Sequence, residues 1–217
     1  MKIDKLFELL LSDNPSDNLK RHEKELFELI PELESCKGFN QNSEWHVYDV
    51  YEHILHVVDN VSPTLVMRLA ALFHDVGKPK TYTEDENGKG HFYGHWEVSQ
   101  KIFDEFAKRY DIDKSITNRV SNLIYYHDLN IDNLGVDGFR EVYDRLGYDG
   151  LKELYELKES DLKKLPEICK DMISINESPI QYFTEYKYAY INSSNLNKKE
   201  FEILSKNILL FLNKISL

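Results

Sequence analysis

Apolar residues recur at spacings of three and four through most of this 217-residue chain, and sustained alternation is rare. A 3.6-residue period dictates packed helices, because each amphipathic stripe must be buried against another. The spacing predicts helices over Lys2–Leu11, Asp17–Leu29, Tyr48–Asn60, Pro63–Asp75, His95–Tyr110, Lys114–Tyr126, Gly138–Leu146, Leu151–Met172 and Asn197–Lys214. The expected fold class is all-α. Ser62 ahead of Pro63, and Asp17 ahead of its own apolar pattern, read as N-caps. One stretch breaks the pattern: in "KTYTEDENGKGHFYG", Asn87 and Gly88 read as a tight turn between two short arms, a surface hairpin or loop near residues 80–94. The length suits a single domain over 1–217, with a core at 46–165 between an N-terminal extension, 1–45, and a C-terminal one, 173–217.

The period also sorts the ionisable residues. His53 follows Val50 by three and precedes Val57 by four, so it shares their apolar stripe, away from Glu52 and Asp59. His74 follows Ala71 by three and Ala70 by four, and Asp75 stands beside it at a helix end that Gly77 and Pro79 help to terminate. His95 shares a stripe with Val98 and Ile102, His127 with Leu123 and Ile124, and Asp161 with Leu154, Leu157 and Leu165. A lone inward histidine is ordinarily a hydrogen-bonded core residue. Four histidines and two aspartates facing one core are a different matter, since each unpaired buried polar group costs roughly 1–3 kcal/mol or more. A bound cation removes that cost. Imidazole with carboxylate and no thiolate suits Mn, Fe, Co, Ni or Zn, whereas Mg favours more oxygen ligands.

Composition narrows the function classes. A formal charge of −11 disfavours strong nucleic-acid binding, which needs Lys and Arg to displace counterions. No apolar run approaches the roughly 18 residues of a membrane span, and the start lacks the pattern of a secretory signal, so a cytoplasmic protein is expected. Cys36 and Cys169 have no C-x-x-C spacing, and neither a disulfide framework nor a thiolate zinc site is expected.

The order His53, His74-Asp75, His95, His127, Asp161 resembles the HD superfamily of metal-dependent phosphohydrolases, in its six-ligand form that can hold two metals. From Leu9 to Met172 the chain is similar to the C-terminal body of bacterial CCA-adding tRNA nucleotidyltransferases, through "EWHVYDVYEHILHVVDNV", "MRLAALFHDVGKPKTYTEDENGKGHFYGHWEVSQKIF", "SNLIYYHD" and "LYELKESDLKK". The Tyr-rich "SPIQYFTEYKYAYI" segment has no counterpart there. Those enzymes carry a nucleotide-transferring head for which no room precedes Leu9, so the expectation is a freestanding HD domain that does not add CCA. The resemblance also implies a final ligand aspartate on a late helix. "LKESD" is the matching segment, which favours Asp161 as ligand over Asp128, expected to orient a neighbour.

The expected activity is that of a phosphatase or phosphodiesterase acting on a nucleotide or related phosphate ester through a water activated by one or two divalent ions. His53, His74, Asp75, His95, His127 and Asp161 are the expected metal ligands, with Asp75 able to bridge, and His74 and Asp75 are catalytic through them. Lys78 is counted with them as a candidate catalytic and substrate-binding residue, either contacting a substrate phosphate or pairing with Asp75. His46 and His91 are candidate substrate or proton-transfer groups, and His22 and His56 are expected to be solvated. Two other readings stay open: a metal- and nucleotide-binding sensor without turnover, and an RNA or protein adaptor.

Overall fold

A computed structural model describes residues 1–41, 48–129, 134 and 136–162. Within them the chain is helical apart from one short hairpin, in the order α1 (Ile3–Leu10), α2 (Pro15–Arg21), α3 (Glu23–Leu29), α4 (Pro31–Cys36), α5 (Val50–Asn60), α6 (Leu65–Phe73), α7 (Lys78–Thr81), β1 (Thr83–Glu84), β2 (Gly90–His91), α8 (His95–Arg109), α9 (Lys114–Tyr126) and α10 (Val136–Leu162). The all-α expectation holds.

Helix α6 is the centre of the arrangement. Every residue of "LVMRLAALF" after Leu65 is buried, and the helix packs against α1, α5, α8, α9 and α10. A helix apolar on all sides belongs inside a bundle. Its one charge, Arg68, donates to the Val58 carbonyl near the end of α5, and Asp59 and Glu156 supply the opposing charge. Around it, Val50, Ile54, Val57 and Val58 of α5, Phe103 and Phe106 of α8, Val120, Leu123 and Ile124 of α9, and Leu151, Leu154 and Leu157 of α10 fill the core. Phe73 anchors one side, in edge contact with Phe103 at 5.3 Å.

Several local expectations are corrected. The helix expected over 17–29 breaks at His22 (φ −111°, ψ 22°), so Asp17 lies inside α2, whose N-cap is Asn14 ahead of Pro15. Proline at the first helical position moves the start upstream, since its missing N–H costs nothing there. The helix α4, which also begins at a proline, was not foreseen. Ser62 does not cap α6: the helix begins at Leu65, and Thr64 takes the role, its Oγ1 accepting from Met67 N at 3.2 Å, while the Ser62 N–H donates to Glu156 of α10. Asp49 caps α5 by accepting from Glu52 N at 2.7 Å, so the helix begins at Val50, two residues inside the expected start at Tyr48. Pro79 sits in the first turn of α7, a helix in the place of the arm expected from Lys80.

Other boundaries agree. The hairpin pairs Thr83 with His91 and Glu84 with Gly90, and Gly88 supplies the left-handed residue of its turn (φ 77°). A second such residue, Gly147 (φ 64°, ψ −175°), kinks α10 between the two helices expected there. The helix predicted over Asn197–Lys214, the end of the one over Leu151–Met172, Cys169 and the Tyr-rich segment lie outside the described residues.

Candidate metal centre

The six residues singled out on apolar stripes converge at one end of α6. Five of the side chains are buried: His74 is 0% exposed and Asp75 1%, with His53, His95 and His127 close behind, while Asp161 is 31% exposed at its side chain. His53 comes from α5, the His74-Asp75 pair from the end of α6, His95 from the start of α8, His127 from the end of α9 and Asp161 from α10. Five helices thus deliver side chains to the same place, with His74, Asp75, His95 and His127 at helix ends.

Asp75 stands in the middle, and its two oxygens face different partners. Oδ2 lies 3.3 Å from His53 Nε2 and 3.2 Å from His74 Nε2. Oδ1 lies 3.2 Å from His95 Nε2 and 3.5 Å from His127 Nε2. Asp161 Oδ1 closes the first group, 2.8 Å from His53 Nε2 and 3.9 Å from His74 Nε2. Ligand atoms of His53, His74, Asp75 and Asp161 lie within 4.8 Å of one another, and so do those of Asp75, His95 and His127. The described residues therefore hold two ligand sets able to take a metal ion, sharing one carboxylate.

The donor chemistry fits such an ion. Both oxygens of Asp75 are buried; the Lys78 ammonium lies 2.7 Å from Oδ2, and Oδ1 faces the imidazole nitrogens of His95 and His127, an arrangement that a further cation would stabilise. Three imidazoles are preset: His74 Nδ1 hydrogen-bonds to the Ala71 carbonyl at 2.7 Å, His95 Nδ1 to Phe92 at 2.9 Å and His127 Nδ1 to Ile124 at 2.7 Å. A carbonyl can only accept, so Nδ1 carries a proton, and in the neutral ring Nε2 is the atom that presents a lone pair to the cluster. The i→i−3 spacing of all three follows from their places at helix ends, where the preceding turn offers its carbonyls.

The electrostatics also show which proton an ion would have to displace. Burial alone would lower the His53 pKa, but its hydrogen bond to Asp161 and the charge of Asp75 raise it to about 9. Burial opposes ionisation of Asp75 as well, yet His74 and Lys78 hold it well below the ordinary carboxylate range. His53 does the same for Asp161 against its own desolvation. His127 is pushed down by burial and by the neighbouring imidazoles, which favours its neutral, ligating form. His53, His74 and Lys78 together supply the positive charge that keeps the two aspartates ionised.

Lys78 is buried beside the cluster. Its ammonium lies 2.7 Å from Asp75 Oδ2, donates to Gln41 Oε1 at 3.0 Å and sits 5.5 Å from the Phe92 ring centroid. Of the two roles open for it, the geometry places it on Asp75. His91 stands apart from the six, in β2, 3.3 Å from Asp85 and stacked on Tyr93 at 5.3 Å. Asp128 is exposed at the end of α9. His46 lies outside the described residues. His22 is half-exposed beside Glu25, as expected, but His56 packs its ring on Tyr48 at 4.3 Å.

Three supports escaped the sequence reading. Lys158 donates to the carbonyls of His127 at 2.6 Å and Leu129 at 2.8 Å, tying α10 to the end of α9. Its position one turn beyond Leu154, on the inward face, was the available signal. Gly77 donates its N–H to Ser99 Oγ at 2.9 Å, and a Cβ at Gly77 would stand 2.5 Å from the His95 carbonyl, so only glycine lets the Asp75 segment pack so closely on α8. Gln41, in a loop, gave no signal at all.

Residues 44–171 match the HD-domain family, which takes in more than half of the chain. The chain belongs to the HD-domain family. It is also similar to the A-adding tRNA nucleotidyltransferase of Deinococcus radiodurans, 33% identical over 104 residues, which are 45% of this chain and 24% of that protein. To the CC-adding tRNA nucleotidyltransferase of Thermus thermophilus it is 35% identical over 132 residues, 57% of this chain and 30% of that protein. The similarity thus spans less than a third of either curated relative. In this HD domain the His74-Asp75 pair supplies the most buried ligand atoms, and the other four residues surround it. No described helix is long and apolar enough to cross a membrane.

Proposed function

We propose that this HD domain is a metal-dependent phosphohydrolase, a phosphatase or phosphodiesterase whose substrate is a nucleotide or a related phosphate ester. The observation that carries the reading is the bridging placement of Asp75, with one oxygen toward His53, His74 and Asp161 and the other toward His95 and His127. His53, His74, Asp75 and Asp161 would hold one divalent ion, and Asp75, His95 and His127 a second, of the Mn, Fe, Ni, Co, Zn or Mg class. Such ions supply a water acidic enough to act as hydroxide near neutral pH and a Lewis acid for a phosphoryl oxygen.

The protein's own contribution is orientation and charge. Carbonyl-anchored Nδ1 atoms fix three rings, so no rotamer search is needed when ligands engage. Lys78 adds positive charge from its place on Asp75, where an anionic substrate approaching the cluster would be drawn. His91, oriented by Asp85, and His46 are proposed as groups on the substrate side. The partner is then a small phosphate ester met in the cytoplasm rather than a membrane.

The test is turnover of nucleoside monophosphates, cyclic 2′,3′-phosphates, dinucleoside polyphosphates and simple phosphomonoesters by protein replete with Mn, Ni, Co, Fe or Zn. Hydrolysis of a nucleotide-type ester, lost in Asp75→Ala while circular dichroism stays helical, is the expected result. Metal-replete protein that turns over none of them overturns it. A second reading, an RNA adaptor, has in its favour only that the two relatives named above are tRNA enzymes, and the charge of −11 counts against it. Salt-dependent RNA binding without turnover is the result that would select it.

A further inference from the structure

Gln41 is 2% exposed, an uncommon situation for a glutamine outside any helix or strand. It is held from two sides. Its Nε2 reaches the Tyr48 carbonyl at 3.4 Å, and its own carbonyl lies against β2 so closely that a Cβ at Gly90 would stand 2.5 Å away. Its side-chain oxygen, Oε1, accepts from Lys78 at 3.0 Å. The same ammonium is 2.7 Å from Asp75 Oδ2, the oxygen that faces His53 and His74. One buried cation is therefore shared between a neutral acceptor and the carboxylate oxygen that belongs to the four-residue ligand set.

We propose that Gln41 is a positioning residue: by accepting Lys78 it sets how far that ammonium is drawn off Asp75 Oδ2, and so how strongly it competes with a divalent ion for the His53, His74, Asp75 and Asp161 set. A monovalent cation on a ligand oxygen must give up charge–charge stabilisation when a divalent ion arrives, and repels it while it stays. The more of the ammonium's interaction the glutamine takes, the smaller that penalty is. Phe92, whose ring lies 5.5 Å from the ammonium, offers a face on which the displaced charge can stay. The idea rests on the metal reading given above but not on any substrate.

The experiment measures Mn2+ affinity by electron paramagnetic resonance of free Mn2+ in the full chain, using wild type, Gln41→Glu, Gln41→Met and each in a Lys78→Met background. Gln41→Glu gives Lys78 a competing carboxylate and should tighten the higher-affinity Mn2+ site by on the order of tenfold. Gln41→Met removes the acceptor at nearly constant volume and should weaken the site. Both effects should vanish when Lys78 is methionine, because Gln41 acts through Lys78. A glutamine that merely fills space would have both variants weaken binding, and a through-space charge effect would persist without Lys78; either result overturns the proposal. Should Gln41→Met fail to fold by circular dichroism, the Gln41→Glu pair with and without Lys78 decides alone. Wild type that binds neither Mn2+ nor Co2+ would overturn the metal reading and this proposal together, whereas normal Mn2+ binding unchanged in Gln41→Glu removes only the latter.

Discussion

Asp161 meets His53 at 2.8 Å, joining a carboxylate of the late helix α10 to an imidazole of α5 and closing the ligand set around one oxygen of Asp75. The contact has its own scaffold. Ser160 Oγ donates to the Asn60 carbonyl at 3.1 Å, and Glu156 accepts the Ser62 N–H, so α10 is pinned to the end of α5 over the turn that leads into Asp161.

From this placement, Asp161→Ala should lose metal affinity at the His53 side by tenfold or more, because it removes a charged donor while leaving His53 and His74 in place. Asp128→Ala, at an exposed position, should change it little. Calorimetric titration of metal-free protein with Ni2+ or Mn2+ checks the pair, and the assignment fails if the Asp128 variant loses the metal while the Asp161 variant keeps it.

Metal binding should also be proton-linked. With its pKa raised to about 9 in the metal-free protein, against 6.5 ordinarily, His53 contributes stability that is fully present below pH 6.5 and lost as pH rises through 9. The contribution is at most about 3 kcal/mol from the usual conversion. A metal ion must displace that proton, so the stabilisation it confers should grow with pH. Melting temperatures with and without Ni2+ at pH 6 and pH 8 test the sign: the gain should be larger at pH 8, and a larger gain at pH 6 would contradict the charged state assigned to His53 beside Asp75 and Asp161.

Much of this site is legible in the sequence because its residues lie on apolar stripes, and helical periodicity reports burial directly. His53, between Val50 and Val57, and Asp161, in register with Leu154 and Leu157, are both readable in this way. What periodicity does not carry is the partner across space. Ser62 looks like an N-cap, but it stands three residues before a helix that Thr64 caps, and its N–H goes to Glu156 instead; Gln41 looks like a loop residue until Lys78 reaches it. The break at His22 escapes for the opposite reason: the apolar pattern runs through it, while the backbone there is not helical. A pattern of three and four residues contains neither the contacts across space nor the local backbone angles that decide these cases.

Asp75→Asn tests the bridging carboxylate without removing its bulk. The amide cannot donate negative charge to either ligand set, so both should weaken together, and Lys78 loses its 2.7 Å counter-charge. Elemental analysis after dialysis should fall from one or two equivalents toward none. Retention of a full equivalent would show that one set binds without Asp75.

The last prediction concerns the packing that delivers His95. Gly77 lies two residues beyond Asp75, and a Cβ there would stand 2.5 Å from the His95 carbonyl, 2.8 Å from Ser99 N and 2.9 Å from Ser99 Oγ. Two of these atoms are backbone of α8, which cannot swing aside as a side chain does. Gly77→Ala must therefore push the first turn of α8 away from the end of α6, and break the Gly77 N–H to Ser99 bond as it does so. Overpacking of this kind costs roughly 2 kcal/mol, which in a chain this size lowers the melting temperature by about 4–8 °C. The displacement also draws His95 Nε2 from Asp75 Oδ1, now 3.2 Å away. The His95 and His127 side should weaken while the Asp161 side keeps its ion, so calorimetry should show a tight first binding step preserved and the second weakened or lost. A melting temperature within 1 °C of wild type, with both steps intact, would mean that α8 yields to the methyl group and that the close approach does not set the site.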